Sequence, residues 1–307
     1  MKSCIAKAAW PTLAAILFFG GMAGPLAQDS DELTQLAGAL KKIKATKTIT
    51  IGYREASVPF SYLNAARQPI GYSIDLCLEI VEDVRGELGD DTIQVKYVAV
   101  NTQNRIPSVV DGSVDLECGQ TTNNSERQKL VAFSPIIFVS GTKLLVKRAA
   151  KLKSYRDLKG RSVGVTLAST NETAIKSLSA KEGLNITVVT FQDNAQAFEA
   201  VDSGKIDAWA GDDAVLFATV AEAKNPREFS VLDDFLSYDP YGIMYRKNDP
   251  AFDALVNHTF DRLAETRELA SIYEQWFLRK LPSGRTLGIA MSRQLRSIFE
   301  SMGQPTE

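Results

Sequence analysis

Short runs with apolar residues at every second position alternate along this chain with longer runs whose apolar residues recur every three or four. Thr48-Ile49-Thr50-Ile51-Gly52-Tyr53 alternates as a strand and opens into Arg54 and a proline-containing loop, Val58-Pro59-Phe60-Ser61-Tyr62. Ser73 to Glu87, with Ile74, Cys77, Ile80, Val81 and Val84 at helical spacing, predicts an amphipathic helix. Ile93 to Val98 predicts the next strand. A helix beginning near Asn104-Arg105-Ile106-Pro107 leads through Asp111-Gly112 into a short strand, Val114 to Glu117. Residues 28–47 read as a polar lead-in and a helix carrying Leu33, Leu36, Leu40 and Ile43. Residues 251–279 read as one long helical stretch with Leu255, Phe260, Leu263, Leu269, Ile272, Trp276 and Phe277 facing a core. Strands alternating with helices predict an α/β fold with largely parallel pairing.

One pattern occurs twice. Val110-Asp111-Gly112-Ser113-Val114-Asp115-Leu116-Glu117-Cys118-Gly119 is echoed by Val201-Asp202-Ser203-Gly204-Lys205-Ile206-Asp207-Ala208-Trp209-Ala210-Gly211. Each is a helix end, a glycine-containing turn, a short strand and then polar residues beyond the strand's C-terminal end, where open α/β sheets bind ligands. Leu40 to Arg54 resembles Leu158 to Thr166 in the same way, more weakly. Two echoes in matching order predict two similar lobes. Phe138 to Arg148 and Tyr241 to Lys247 are extended in character and flank the middle segment, so the chain is expected to cross to a second lobe and return. Two crossings make a hinge rather than a floppy linker. The tail from Pro282 carries few signals and is expected to pack on the first lobe.

Composition narrows the function. At 307 residues and 45% hydrophobic, the chain is long enough for two domains and needs no disulfide scaffold to build a core. A net charge of -2 gives no basic field for nucleic acid. A single histidine, His258, argues against a multi-histidine metal site or a histidine-dependent triad, and GxSxG, P-loop, HExxH and GxGxxG motifs are absent. No metal, cofactor or catalytic residue is expected. Lys2 and Lys7, the apolar run Leu13 to Phe19 and Pro25-Leu26-Ala27 before Gln28 read as a secretory signal over residues 1–27. Its removal takes 35 basic residues to 33 against 37 acidic, a net of -4. An exported, periplasmic protein is expected, with no later segment apolar enough to span a bilayer. Cys4 falls in the signal, leaving Cys77 and Cys118 in an oxidising compartment. The even count permits one disulfide; two separate buried thiols are the alternative.

The residues suited to chemistry are arginines and hydroxyls at loop positions. Arg54 follows the first strand and Arg105 sits near a helix start. Thr121-Thr122-Asn123-Asn124-Ser125-Glu126-Arg127 supplies hydroxyls, a helix start and an arginine, and Thr166 to Thr173 repeats the theme with a Ser169–Glu172 capping box. Helix N-termini with hydroxyls and bidentate guanidinium forks suit carboxylates, and Asp212 suits an ammonium. Three arginines, hydroxyl loops and one acid fit a dicarboxylic amino acid.

Gly52-Tyr53-Arg54-Glu55-Ala56-Ser57-Val58-Pro59-Phe60-Ser61-Tyr62, Gly71-Tyr72-Ser73-Ile74-Asp75-Leu76, Asn104-Arg105-Ile106-Pro107 and Glu117-Cys118-Gly119-Gln120-Thr121-Thr122-Asn123-Asn124-Ser125-Glu126-Arg127-Gln128 carry a further signal. From about Leu40 to Lys280 the sequence resembles the periplasmic glutamate/aspartate-binding proteins of amino-acid ABC importers, bacterial solute-binding proteins of family 3. The resemblance implies a two-lobed α/β periplasmic-binding-protein fold of type II, with two hinge crossings and a ligand cleft between lobes. Lobe 1 is then expected over 28–141 plus 246–307 and lobe 2 over 142–245, with hinge strands near 138–148 and 241–247. It also implies that Arg127 and Thr122, helped by Thr170, hold the ligand α-carboxylate. Asp212 would pair with the α-ammonium, and Arg54 and Arg105 would face the side-chain carboxylate. Gln120 and Asn194 stand where well-known members carry serine and histidine. Both amides could satisfy glutamine or asparagine, so binding of these amides is the alternative substrate reading. A periplasmic dehydratase-type enzyme on the same fold, with Glu55 or Asp213 as the acid, is the alternative activity. The expected partners are L-glutamate or L-aspartate and a membrane permease, with the binding protein itself a monomer.

Overall fold

The computed structural model describes residues 36–306. The signal segment, Cys4 and the Leu33 end of the first helix lie outside the described residues. Two five-stranded sheets organise the chain. The first runs Gln94–Ala99, Thr48–Tyr53, Leu116–Glu117, Met244–Tyr245, Ala132–Phe133, with the first three strands parallel. The second runs Thr187–Phe191, Ser162–Thr166, Ala208–Asp212, Thr142–Lys147, Phe229–Val231, again with three parallel strands and then two antiparallel joins. The echoing segments occupy matching places: Thr48–Tyr53 and Ser162–Thr166 are the second strands, Leu116–Glu117 and Ala208–Asp212 the third.

Alternation decides which side chains reach the cores. Ile49 and Ile51 of the first sheet are buried, as are Ile74, Ile80 and Val84 on helix Tyr72–Leu88 and Phe260 and Leu263 on helix Pro250–Glu265. In the second lobe Leu144, Val146, Val163, Val165, Ala208 and Ala210 meet Ile175 of helix Thr170–Glu182. Burying such side chains stabilises by about 1.5–3 kcal/mol each.

One expectation is corrected. The helical stretch 251–279 is two helices, Pro250–Glu265 and Glu268–Phe277. The Thr266 hydroxyl donates to the Arg262 carbonyl at 2.9 Å and Arg267 takes a left-handed φ of 64°, which ends the first helix and turns the chain. Near both expected crossings the chain forms a short ribbon. Asp239–Tyr241 pairs antiparallel with Phe138–Ser140 in a two-stranded ribbon, and Met244 and Tyr245 belong to the first sheet. Thr142–Lys147 is a strand of the second sheet. The ribbon rests on buried aromatic rings. Phe138 packs on Phe60 and Phe277 at 4.9 Å between centroids, and Tyr241 meets Phe60 at 5.2 Å. The tail forms helix Arg293–Ser301, which buries Leu295 and Phe299.

Candidate functional site

The polar ends of both sheets face one cleft. From the first lobe, Arg54 follows strand Thr48–Tyr53, Arg105 opens helix Arg105–Val110, and Gln120 to Thr122 follow strand Leu116–Glu117. From the second lobe come Thr170 and Asn171 at the start of helix Thr170–Glu182, Asn194 at the start of helix Asn194–Asp202, and Asp212 at the end of its strand. Arg54, Thr102, Arg105, Gln120, Thr122, Thr166, Ser169, Thr170, Asn171, Asn194 and Asp212 line one small cavity. Of the eight binding residues expected from the sequence, seven line it. Arg127 borders an adjoining open groove that it shares with Thr122 and Thr170.

The arginines are unusually deep. Arg54 is 4% and Arg105 3% exposed. Burial, and then the neighbouring Arg105 charge, pushes the Arg54 guanidinium down to about 10, against the pull of Glu117, Asp193 and Asp212. Burial lowers Arg105 too, and burial followed by Arg105 takes Arg127 to about 10. Arg54 Nη1 and Arg105 Nε are buried without a hydrogen-bond partner, so the pair keeps donor capacity that a buried acceptor would satisfy. Arg105 Nη1 donates to Thr121 Oγ1 at 2.6 Å, and Arg127 Nη1 donates to the Thr122 carbonyl at 2.9 Å. Thr102 adds a buried hydroxyl with no partner.

Asp212 is the N-cap of helix Asp213–Glu222, yet its side chain caps nothing and turns to the cleft. There Asn171 Nδ2 donates to Oδ1 at 2.8 Å and Gln120 Nε2 reaches Oδ2 from the other lobe at 3.3 Å. Burial, then Asp239, pushes the Asp212 carboxyl up to about 6. Asn194 Oδ1 accepts from Thr166 Oγ1 at 2.9 Å, and its Nδ2 reaches across to the Ala56 carbonyl and Ser57 hydroxyl at 3.4 and 3.5 Å. Thr122 and Thr170 hydroxyls meet across the cleft at 3.4 Å. The proposed dehydratase acids do not converge here. Asp213 accepts from Ser140 Oγ at 2.6 Å and from the Ala214 N–H, and Glu55 lies exposed beside Arg67. His258 is exposed on helix Pro250–Glu265, and among the described residues no group of three or more His, Cys, Asp or Glu could hold a metal ion.

A family model described as bacterial extracellular solute-binding proteins, family 3, matches residues 49–279. This chain belongs to that family. The solute-binding protein is 42% identical over 274 residues to the L-glutamate/L-aspartate-binding protein of Pseudomonas aeruginosa, covering 89% of this chain and 90% of that one. It is 36% identical over 287 residues to the glutamate/aspartate import solute-binding protein of Escherichia coli, covering 93% and 95%. Among solved structures, an ancestral arginine-binding protein bound to glutamine superposes with a TM-score of 0.68 at 30% identity, covering 76% of this chain and 99% of that one. The two lobes, hinge and cleft are therefore those of the type II periplasmic-binding-protein fold.

Sequence reasoning about this solute-binding protein missed Asn171 and Thr102 in the cavity, Asp239 in the adjoining groove and the buried Glu117. Asn171 hides inside a hydroxyl-rich run and Thr102 in a loop without pattern. Asp239 lies on the hinge ribbon, where it accepts from Thr122 Oγ1 at 3.2 Å. Glu117 is fully buried. Nothing local singled it out, because the short run Val114 to Glu117 also carries Asp115.

Proposed function

We propose that this protein captures an acidic amino acid, L-glutamate or L-aspartate, between its lobes outside the cytoplasm and delivers it to the membrane permease of an ABC importer. It binds rather than transforms the ligand, and works as a monomer after loss of its signal segment. The lobes are residues up to the ribbon strand Phe138–Ser140 together with those after Asp239–Tyr241, and the segment between. One observation carries the reading: two adjacent, fully buried guanidinium groups with unsatisfied donors lie in a cleft that also holds a buried carboxylate, Asp212. Leaving such charges unpaired costs several kcal/mol, and a side-chain carboxylate supplies what Arg54 and Arg105 lack. Arg127, Thr122 and Thr170 take the α-carboxylate, Asp212 the α-ammonium, and Thr102, Gln120 and Asn194 border the side chain. The names of the Pseudomonas and Escherichia relatives favour the same ligand class.

The test is calorimetric titration of refolded, ligand-stripped protein with glutamate, aspartate, glutamine and asparagine. Each charge-assisted hydrogen bond contributes about 1.5–3 kcal/mol, so the acids should bind at least roughly tenfold more tightly than the amides. Equal or better binding of the amides would mean that Gln120 and Asn194 govern the pocket, and the acidic assignment would fall.

A further inference from the structure

The Arg54–Arg105 pair does not face the cleft alone. Glu117, 0% exposed, lies in the central strand of the first sheet, paired with Gly52 on one side and Met244 on the other. Its Oε2 accepts from Thr121 Oγ1 at 2.5 Å, and Thr121 Oγ1 in turn accepts from Arg105 Nη1 at 2.6 Å. This relay fixes the Arg105 fork through one hydroxyl. The other carboxylate oxygen, Oε1, has no hydrogen-bond partner and lies over Gly119: a Cβ there would sit 2.3 Å from Oε1 and 3.0 Å from Arg54 Cγ. Only glycine lets the carboxylate come this close to Arg54. The other acids acting on the pair are Asp193 and Asp212, and Arg127 lies beside Arg105 with Asp239 near it. Of the acids, Glu117 acts most strongly to keep Arg54, Arg105 and Arg127 charged.

We propose that Glu117 is the resident counter-ion of the pocket, a positioning residue that sets how strongly the site discriminates an acidic ligand from its amide. It balances one of the two side-chain-facing arginine charges. The empty pocket is then stable enough to fold and release its ligand, and the remaining positive charge matches a single ligand carboxylate. This rests on the reading that Arg54 and Arg105 receive that carboxylate.

Glu117→Gln tests it, because the amide oxygen still accepts from Thr121 while the charge is lost. Glutamate and glutamine are titrated into wild type and variant, and thermal unfolding is followed with and without glutamate. The expected result is a glutamate-to-glutamine affinity ratio raised by about tenfold or more, the effect of one unit charge a few ångströms away at an effective dielectric of roughly 20. The empty variant should melt lower than wild type, with a larger upward shift on adding glutamate. Recovery of folded variant only when glutamate is present in refolding also supports the proposal, since the ligand carboxylate then replaces the counter-ion. An unchanged or reduced ratio overturns it, as does failure to fold even with saturating glutamate, which would make Glu117 purely structural. Wild-type protein that binds neither acid removes the underlying ligand reading instead, before the variant is compared.

Discussion

In the proposed site, Asp212 would tie ligand capture to pH. Burial, followed by the Asp239 carboxylate, raises it to about 6, while Tyr241 and Asn171 pull the other way. An ammonium ligand requires the ionised form, so binding favours deprotonation and draws the pKa down. The sign follows: above about pH 6 the carboxylate is already charged and affinity is flat, whereas below it each binding event releases a proton. Glutamate affinity should fall by up to about tenfold between pH 6 and 5. Calorimetry in buffers of different ionisation enthalpy should detect proton release at pH 5 and little at pH 8; affinity level down to pH 5 would place another group opposite the ammonium. Asp212 was legible in the sequence because it ends a strand that echoes an earlier one, and Arg54 and Arg105 because each sits at an element boundary among hydroxyls. Glu117 was not. The same echo placed it inside a strand, and periodicity says nothing of which buried position carries charge. The four polar residues that sequence missed depend on tertiary approach, which no local pattern records.

The echoed helix–turn–strand units do the same work twice. Asp115 Oδ2 accepts from the Thr50 N–H at 2.8 Å, and Asp207 Oδ2 accepts from the Ser162 N–H at 2.8 Å. In each case the aspartate opening the third strand holds the start of the second, then takes a cation: Lys42 at 2.8 Å in one lobe and Arg161 at 3.0 Å in the other. This is why the echo predicted matching sheets, and why the short antiparallel strands, with only two or three residues each, gave no comparable signal. The first lobe adds a covalent tie that the second lacks among its described residues. Cys77 on helix Tyr72–Leu88 is bonded to Cys118, directly after Glu117 and two residues before Gln120, and both side chains are fully buried. A bridge closing a sequence separation of 41 restricts the unfolded chain by about 4 kcal/mol. Cys77→Ser/Cys118→Ser should therefore lower denaturant stability by about 2–4 kcal/mol. Because the bridge anchors the segment that carries Gln120 and Thr122, glutamate affinity should weaken as well. A double variant of wild-type stability would show that the reduced chain is restrained by other contacts.

At the scale of the whole molecule, the contacts that close the cleft from within the protein are few and long among the described residues. Gln120 reaches Asp212 at 3.3 Å, Thr122 reaches Thr170 at 3.4 Å, and Asn194 reaches Ala56 and Ser57 at 3.4 and 3.5 Å. The tail adds two more from outside the cleft, beyond the family match that ends at 279: Ser283 donates to Glu222, and Gln294 donates to the Tyr238 hydroxyl at 2.7 Å. Both are exposed and are worth roughly 1 kcal/mol at most. The proposed hinge is a two-stranded ribbon on aromatic rings, outside both five-stranded sheets, so bending it would leave either core intact. In the proposed site an amino acid would change this balance by dividing its charges between lobes, with the carboxylates on the arginines of the first and the ammonium on Asp212 of the second. On that reading only the closed form makes both sets of contacts, so ligand would shift the population toward it, and a complete shift needs roughly 10⁴-fold preference for that form. X-ray scattering should register a smaller radius of gyration on adding glutamate. Asp212→Asn should break the link between binding and closure. Removing the second lobe's charge leaves the ligand held mainly by the first, so affinity should fall by about a hundredfold, the loss of one buried charge pair at about 3 kcal/mol. At glutamate concentrations that saturate the variant, its scattering profile should stay closer to that of the empty protein than the wild type's does. Full compaction of saturated Asp212→Asn would mean that the hydroxyls of Thr122 and Thr170 and the amides of Gln120 and Asn194 suffice to close the lobes.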